Sequence, residues 1–286
     1  MENIVPFKEV VQKYKAVFFD AYGVLKNHKG LLPGIQNTFN LLIENDIDYY
    51  ILTNDASRSP EQLAEGYLAN GITAVTPDRI ISSGMLAREY LQSKVKKGTV
   101  TYLGTANSAH YIESTGLKTM SIQDVSLDNL DHIQAMVFLD DEGFDWQQDI
   151  NKIINILRQK NMSVIVANTD ISYPVSKTEI SIAIGGLANM VEDIIGKTFI
   201  RFGKPDAQMF MFAYEQVLAK KNIRKDEILM VGDTLKTDII GGNKFGLDTV
   251  LVLTGNTLPL QADLKIASSG IIPTYICNSV VVNEID

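Results

Sequence analysis

The chain has 286 residues, 45% hydrophobic and 21% charged, the balance of a globular protein built as two units or one large α/β unit. Its 26 basic against 34 acidic residues leave a net charge of −8, so neither nucleic-acid backbone nor an anionic membrane is an expected partner. One cysteine, Cys277, excludes an internal disulfide and a cysteine zinc site, and it fits a reducing, cytoplasmic setting.

In chain order, Ala16-Val17-Phe18-Phe19 is a short apolar run ending at Asp20, and Asp48 to Leu52 is another ending at Thr53. Short runs of this kind predict strands of a parallel sheet covered on both faces. Thr99 to Leu103 before Gly104, Ala135 to Leu139 before Asp140, and Ser163 to Ala167 before Asn168 repeat the rhythm, with a helix expected over Asp149 to Lys160. Glu227 to Val231 then ends at Gly232-Asp233, and Thr249 to Leu253 at Thr254-Gly255. Turn residues cluster at Ser82-Ser83-Gly84 and at Gly203-Lys204-Pro205. Residues 84–199 therefore read as a second α/β unit inserted into a core made of 1–83 and 200–286. The expected class is α/β with a Rossmann-like parallel sheet, whose ligands bind outside the carboxyl ends of the strands. Asp20, Thr53 and Asp233 fall at that edge. No run reaches transmembrane length, and the first residues lack the apolar core of a signal peptide.

Four segments carry candidate chemistry. Asp20-Ala21-Tyr22-Gly23 puts a carboxylate at a strand end with a turn-permitting glycine three residues on, either a nucleophile or a plain turn aspartate. Thr53-Asn54-Asp55-Ala56-Ser57-Arg58 is either a phosphate cradle of hydroxyl and backbone N–H groups or a helix cap ahead of Pro60. Lys204, between Gly203 and Pro205, can pair with a phosphate oxygen, although a lone lysine is usually solvated surface. Asp233 and Asp238 are two carboxylates five residues apart, suited to a hard cation such as Mg2+ or to turn and helix capping.

Taken together in this order, the four segments resemble the haloacid dehalogenase-like (HAD) superfamily. Val166 to Asp170, Ile184-Gly185-Gly186-Leu187-Ala188, Phe202 to Pro205 and Asp238 to Gly242 resemble its NagD-like, class IIA branch of sugar, 4-nitrophenyl and pyridoxal phosphate phosphatases. The resemblance implies an inserted α/β cap of the C2 type and a Mg2+-dependent phosphatase acting on a small phosphorylated metabolite. By that resemblance Asp20 attacks phosphorus and forms an aspartyl-phosphate. Thr53 and Lys204 hold the phosphoryl group, Asp20, Asp233 and the Tyr22 carbonyl bind Mg2+, and Asp238 supports the metal or Lys204. The cap segment Asn168 to Val175, with Asp170, Tyr173 and Pro174, is the expected selectivity element. A homodimer through the cap is a further implication.

The sequence departs from the pattern at Tyr22, where the family carries the aspartate that protonates the leaving group and then activates water. A phenol, with an ordinary pKa near about 10, is a poor base at neutral pH, and general acid–base catalysis contributes roughly 100- to 10,000-fold. Asp-Ala-Tyr-Gly also resembles the start of the metal-independent 2-haloacid dehalogenases, and a phosphometabolite-binding protein with impaired catalysis is the non-enzymatic alternative. Asp55 is a candidate stand-in for the missing acid, or a helix-capping residue. Arg58 is read as a contact for a second anionic group or as a solvated helix-start arginine. Core packing is expected of Trp146, and surface or structural polar roles of His28, His110 and His132.

Overall fold

The computed structural model describes residues 4–176 and 179–282. The run Ala16–Phe19 is a strand whose period of two sends Val17 and Phe19 into one apolar cluster and Ala16 and Phe18 into another. Tyr49 and Ile51 part from Tyr50 and Leu52 in the same way along Asp48–Thr53, as do Leu229 and Val231 from Ile228 and Met230 along Ile228–Gly232. Each large apolar side chain so buried contributes roughly 1.5–3 kcal/mol by leaving water. Helices therefore have to cover both faces.

Six parallel strands make the first sheet, in the spatial order Tyr275–Cys277, Asp248–Val252, Ile228–Gly232, Ala16–Phe19, Asp48–Thr53, Ile80–Ser82. Chain order reverses between Ile228–Gly232 and Ala16–Phe19. Connections leave such a switch point in opposite directions and open a crevice at the carboxyl ends of the strands. Asp20 and Asp233 are the residues that follow these two strands.

A second sheet of five parallel strands runs Ile200–Arg201, Ser163–Val166, Ile133–Phe138, Thr99–Leu103, Lys118–Ser121. One of its faces, with Val100, Val137 and Ile165, shares an apolar cluster with Phe18, Tyr50 and Leu52 of the first sheet. The other face, with Met136, Phe138 and Val166, has its own cluster. Ile200–Arg201 pairs with Ser163–Val166, so the second sheet reaches past residue 199. A small antiparallel hairpin, Ser172–Pro174 with Ile180–Ile182, stands outside the apolar clusters and is partly exposed.

The helix expected from Asp149 runs Trp146–Gln159, because Asp145 caps it by accepting a hydrogen bond from Gln148 N at 2.7 Å. Trp146 thus opens the helix at 39% exposure and donates through Nε1 to the Asp141 carbonyl at 2.9 Å, which corrects the expectation of a core aromatic. Among the described residues no helix is long and apolar enough to cross a membrane.

Candidate active site

Lys204 lies buried at the floor of the crevice, with its Nζ 2.7 Å from Asp20 Oδ1 and 2.7 Å from Asp238 Oδ1. Burial by itself pulls the ammonium pKa down, but the two carboxylates outweigh it, and the net shift is upward. Asp233, also buried, accepts from Thr234 Oγ1 at 2.8 Å and from the Asn256 N–H at 2.5 Å. Thr234 N donates to Asp238 Oδ2 at 3.1 Å, so the turn after Ile228–Gly232 holds both acids in place. Burial, then the negative charges of Asp20 and Asp238, push Asp233 up to about 8. Burial pushes Asp238 up to about 7 against the pull of Lys204.

Asp20, Asp233 and Asp238 each offer a carboxylate oxygen, and these oxygens lie within 4.8 Å of one another. When all three are ionised, one lysine leaves two negative charges uncompensated. An all-oxygen donor set with that surplus fits a hard divalent cation. The surrounding backbone is built to let the acids approach. A Cβ on Gly23 would stand 2.0 Å from Asp233 Oδ2, one on Gly255 1.8 Å from the same oxygen, and one on Gly232 2.3 Å from Asp238 Oδ2. Gly23 also has φ +87°, a left-handed conformation that favours glycine.

The remaining residues singled out in the sequence take several positions. Thr53 is buried at its strand end, lines the cleft and accepts from Asp55 N at 3.1 Å. Asn54 turns away from the cleft and brackets the floor. Its Oδ1 accepts from Lys204 N at 2.7 Å, and its Nδ2 donates to Lys204 O, Thr169 Oγ1 and Asp170 Oδ1 at 2.9–3.1 Å. With its amide so committed, Asn54 positions Lys204 and Asp170 in place of the substrate contact expected of it. Asp55 is no helix cap either: its Oδ1 accepts from Ser57 N and Oγ at 2.8 and 2.6 Å, a local turn, while Ser59 and Gln62 form the capping box of Pro60–Leu68. Arg58 is exposed at the cleft rim. Asp170 lines the cleft, and burial raises it to about 6 against Lys204 and Asn54. Tyr22 donates its hydroxyl to the Pro174 carbonyl at 2.6 Å, and burial, then Asp233, raise its pKa.

The cleft is a cavity of about 810 Å³ between the two sheets' loops. Asp140, Asp141 and Glu142 form its wall on the second sheet's side, and sequence reasoning passed over them as site residues. The readable signal was their place directly after the apolar run that ends at Leu139. Burial, then Asp141, raise Asp140 to about 6. Among the described residues, six carboxylates line the cleft (Asp20, Asp55, Asp140, Asp141, Glu142, Asp170) against four lysine or arginine cations (Lys26, Arg58, Lys204, Lys236). His28, expected at the surface, is exposed but on the cleft wall.

A parallel sheet with acids gathered around a buried lysine at its switch point defines an α/β protein whose ligand site lies outside the carboxyl ends of its strands. A family model described as haloacid dehalogenase-like hydrolase matches residues 17–118, and a HAD-hydrolase-like model matches residues 201–282. A solved chain from Cytophaga hutchinsonii, described as a possible sugar phosphatase of the HAD superfamily, is 58% identical, covers 98% of this chain and 99% of its own, and superposes with a TM-score of 0.94. The chain therefore belongs to the haloacid dehalogenase-like superfamily and is a hydrolase. Chronophin of Bos taurus is 25% identical over 96% of this chain and 93% of its own. Acid sugar phosphatase of Staphylococcus epidermidis is 26% identical over 93% and 95%.

Proposed function

We propose that the protein is a Mg2+-dependent phosphatase that hydrolyses a small, sugar-phosphate-like metabolite through an aspartyl-phosphate on Asp20. The observation that carries this reading is the floor itself, where Lys204 sits 2.7 Å from both Asp20 and Asp238, with Asp233 completing the acid cluster. In the first step an Asp20 carboxylate oxygen attacks phosphorus as the bond to the leaving oxygen breaks. That oxygen takes a proton from solvent. Water then attacks the aspartyl-phosphate, inorganic phosphate leaves and the Asp20 carboxylate is restored. Lys204 and Thr53 orient the phosphoryl oxygens, and positioning with charge stabilisation is most of what phosphoryl transfer needs. Asp20, Asp233, Asp238 and the Tyr22 carbonyl would hold Mg2+, directly or through water, and the ion would supply neutralisation of phosphate charge when bound.

Residues 84–199 act in this reading as the cap and residues 1–83 and 200–286 as the catalytic core. The acidic cleft wall favours a substrate rich in hydroxyl or other donor groups over one with a second carboxylate, because Asp140, Asp141 and Glu142 are acceptors when ionised. Arg58 at the rim and Asp170 in the wall are the remaining substrate contacts of the proposal. The phosphatase names of similar proteins favour phosphorus over the carbon attacked by dehalogenases. A homodimer is supported by exposed Met190 and Ile194 on the helix Ile184–Ile195. The cytoplasm suits the single buried cysteine. The test is a screen of phosphorylated metabolites for phosphate release with and without Mg2+, with Asp20→Asn as control. Release that needs both Mg2+ and Asp20 supports the proposal. Halide release from 2-chloropropionate without Mg2+ would overturn it.

A further inference from the structure

We propose that Tyr22 is a positioning residue, a latch that ties the nucleophile loop to the cleft wall. Its hydroxyl donates to the Pro174 carbonyl at 2.6 Å, across 152 residues of chain. The donor is thereby spent, and a phenol has only one. Its loop has little freedom, because Gly23 N donates to Lys26 O at 2.7 Å and Gly23 packs against Asp233. The ring position therefore reports on the backbone that carries Asp20.

The partner is a strip of chain with two further ties. Within Asp170 to Pro174, Asp170 Oδ1 accepts from Asn54 Nδ2 at 2.9 Å, on a different core loop. Tyr173 OH donates to Asp141 Oδ2 at 2.9 Å, which fixes the strip to the acidic wall. Ser172–Pro174 belongs to the hairpin outside the apolar clusters, whereas the second sheet shares a cluster with the first. Few buried contacts mark the part of a fold that opens most easily. The hairpin, rather than the whole second unit, is the movable wall, and Tyr22–Pro174 is the bond from the nucleophile loop that must break, together with Tyr173–Asp141, for it to swing away from the cleft. An ionised aspartate at position 22 has no hydrogen to give a carbonyl, so tyrosine holds the wall where the usual acid leaves it free.

One net hydrogen bond shifts an equilibrium roughly fivefold. In the Mg2+-loaded protein, Tyr22→Phe is expected to speed amide exchange about fivefold at Ser172, Tyr173 and Ile180–Ile182 of the hairpin, with exchange in Thr99–Leu103 unchanged as the folding control. The kinetic arm rests on the phosphatase reading. KM should rise several-fold, by the same factor for 4-nitrophenyl phosphate and an alkyl phosphate. Unchanged exchange in the hairpin overturns the latch even if no substrate is turned over. A kcat loss at least tenfold larger for the alkyl ester than for the nitrophenyl ester would make the phenol a proton donor, and that also overturns it.

Discussion

Lys204 is the residue on which the site turns. It is 2% exposed and touches two carboxylates, so Lys204→Met leaves three acids crowded with no cation. Breaking a buried pair by removing one partner costs about 3–5 kcal/mol. Lys204→Met is expected to lower the thermal midpoint of the metal-free protein and to cut phosphatase turnover at least a hundredfold; unchanged stability would mean the acids are protonated and need no partner. Asp55→Asn probes the acid–base question separately, because an amide keeps the Oδ1 acceptor that Ser57 uses. Turnover and the pH–rate profile are expected to stay within about twofold. A tenfold loss together with the loss of one limb of the profile would make Asp55 the missing acid. Tyr22→Asp, which restores a carboxyl at the usual position, should raise turnover of an alkyl phosphate at least tenfold, on the general scale of acid–base catalysis.

At the scale of elements, the turns that follow Ile228–Gly232 and Ala16–Phe19 bring the acids together, and glycines make the room. Gly255→Ala is a clean probe, because its Cβ would meet Asp233 Oδ2 at 1.8 Å and Gly23 Cα at 2.6 Å. Overpacking costs typically about 1–3 kcal/mol. Loss of stability with at least tenfold weaker Mg2+ binding by calorimetry is expected; unaltered metal affinity would show that Asp233 does not take part. The central strands were legible in the sequence because burial on both faces turns each one into a continuous apolar run, whereas their spatial order and the short edge strands Ile80–Ser82, Lys118–Ser121, Ile200–Arg201 and Tyr275–Cys277 were not. Asp20, Thr53, Lys204 and Asp233 were legible because each sits where a strand or a turn residue announces a loop, and Asp238 by its spacing of five from Asp233, which the helical segment Leu235–Ile239 folds back. Asn54 was misread, since a loop amide looks the same in sequence whether it faces ligand or backbone. The Asp140-Asp141-Glu142 wall carried a signal that was passed over, its place after the apolar run ending at Leu139, whereas the Tyr22–Pro174 contact depends on how distant segments meet and no local pattern encodes it.

For the whole molecule, the −8 charge and the buried acids Asp233 and Asp238 beneath the cleft set the pH and metal response. Asp233 and Asp238 have folded-state pKa values raised to about 8 and about 7, against about 4 in an unfolded chain. Their neutral forms favour the folded state, a contribution fully present below about pH 4 and lost as pH climbs through about 7 and 8. The metal-free protein should therefore lose stability between about pH 5 and 8.5, and Mg2+ should restore it most at the alkaline end, where the ligands are ionised. A thermal midpoint that rises with pH in the metal-free protein would contradict this. By the same field, a phosphate monoester with distal hydroxyls is expected to exceed one with a distal carboxylate by about tenfold or more in kcat/KM, measured on a matched pair of esters.

A single measurement reaches the centre of the mechanism. With no carboxyl at position 22 to activate water, breakdown of the phosphoryl-enzyme should be slow, and the intermediate should accumulate during turnover. Rapid acid quench in the presence of Mg2+ and substrate, followed by peptide mass spectrometry, is expected to find one phosphoryl group on the peptide that contains Asp20 and none in Asp20→Asn. Phosphate release from a chain whose Asp20 peptide never carries phosphate would contradict nucleophilic attack by Asp20.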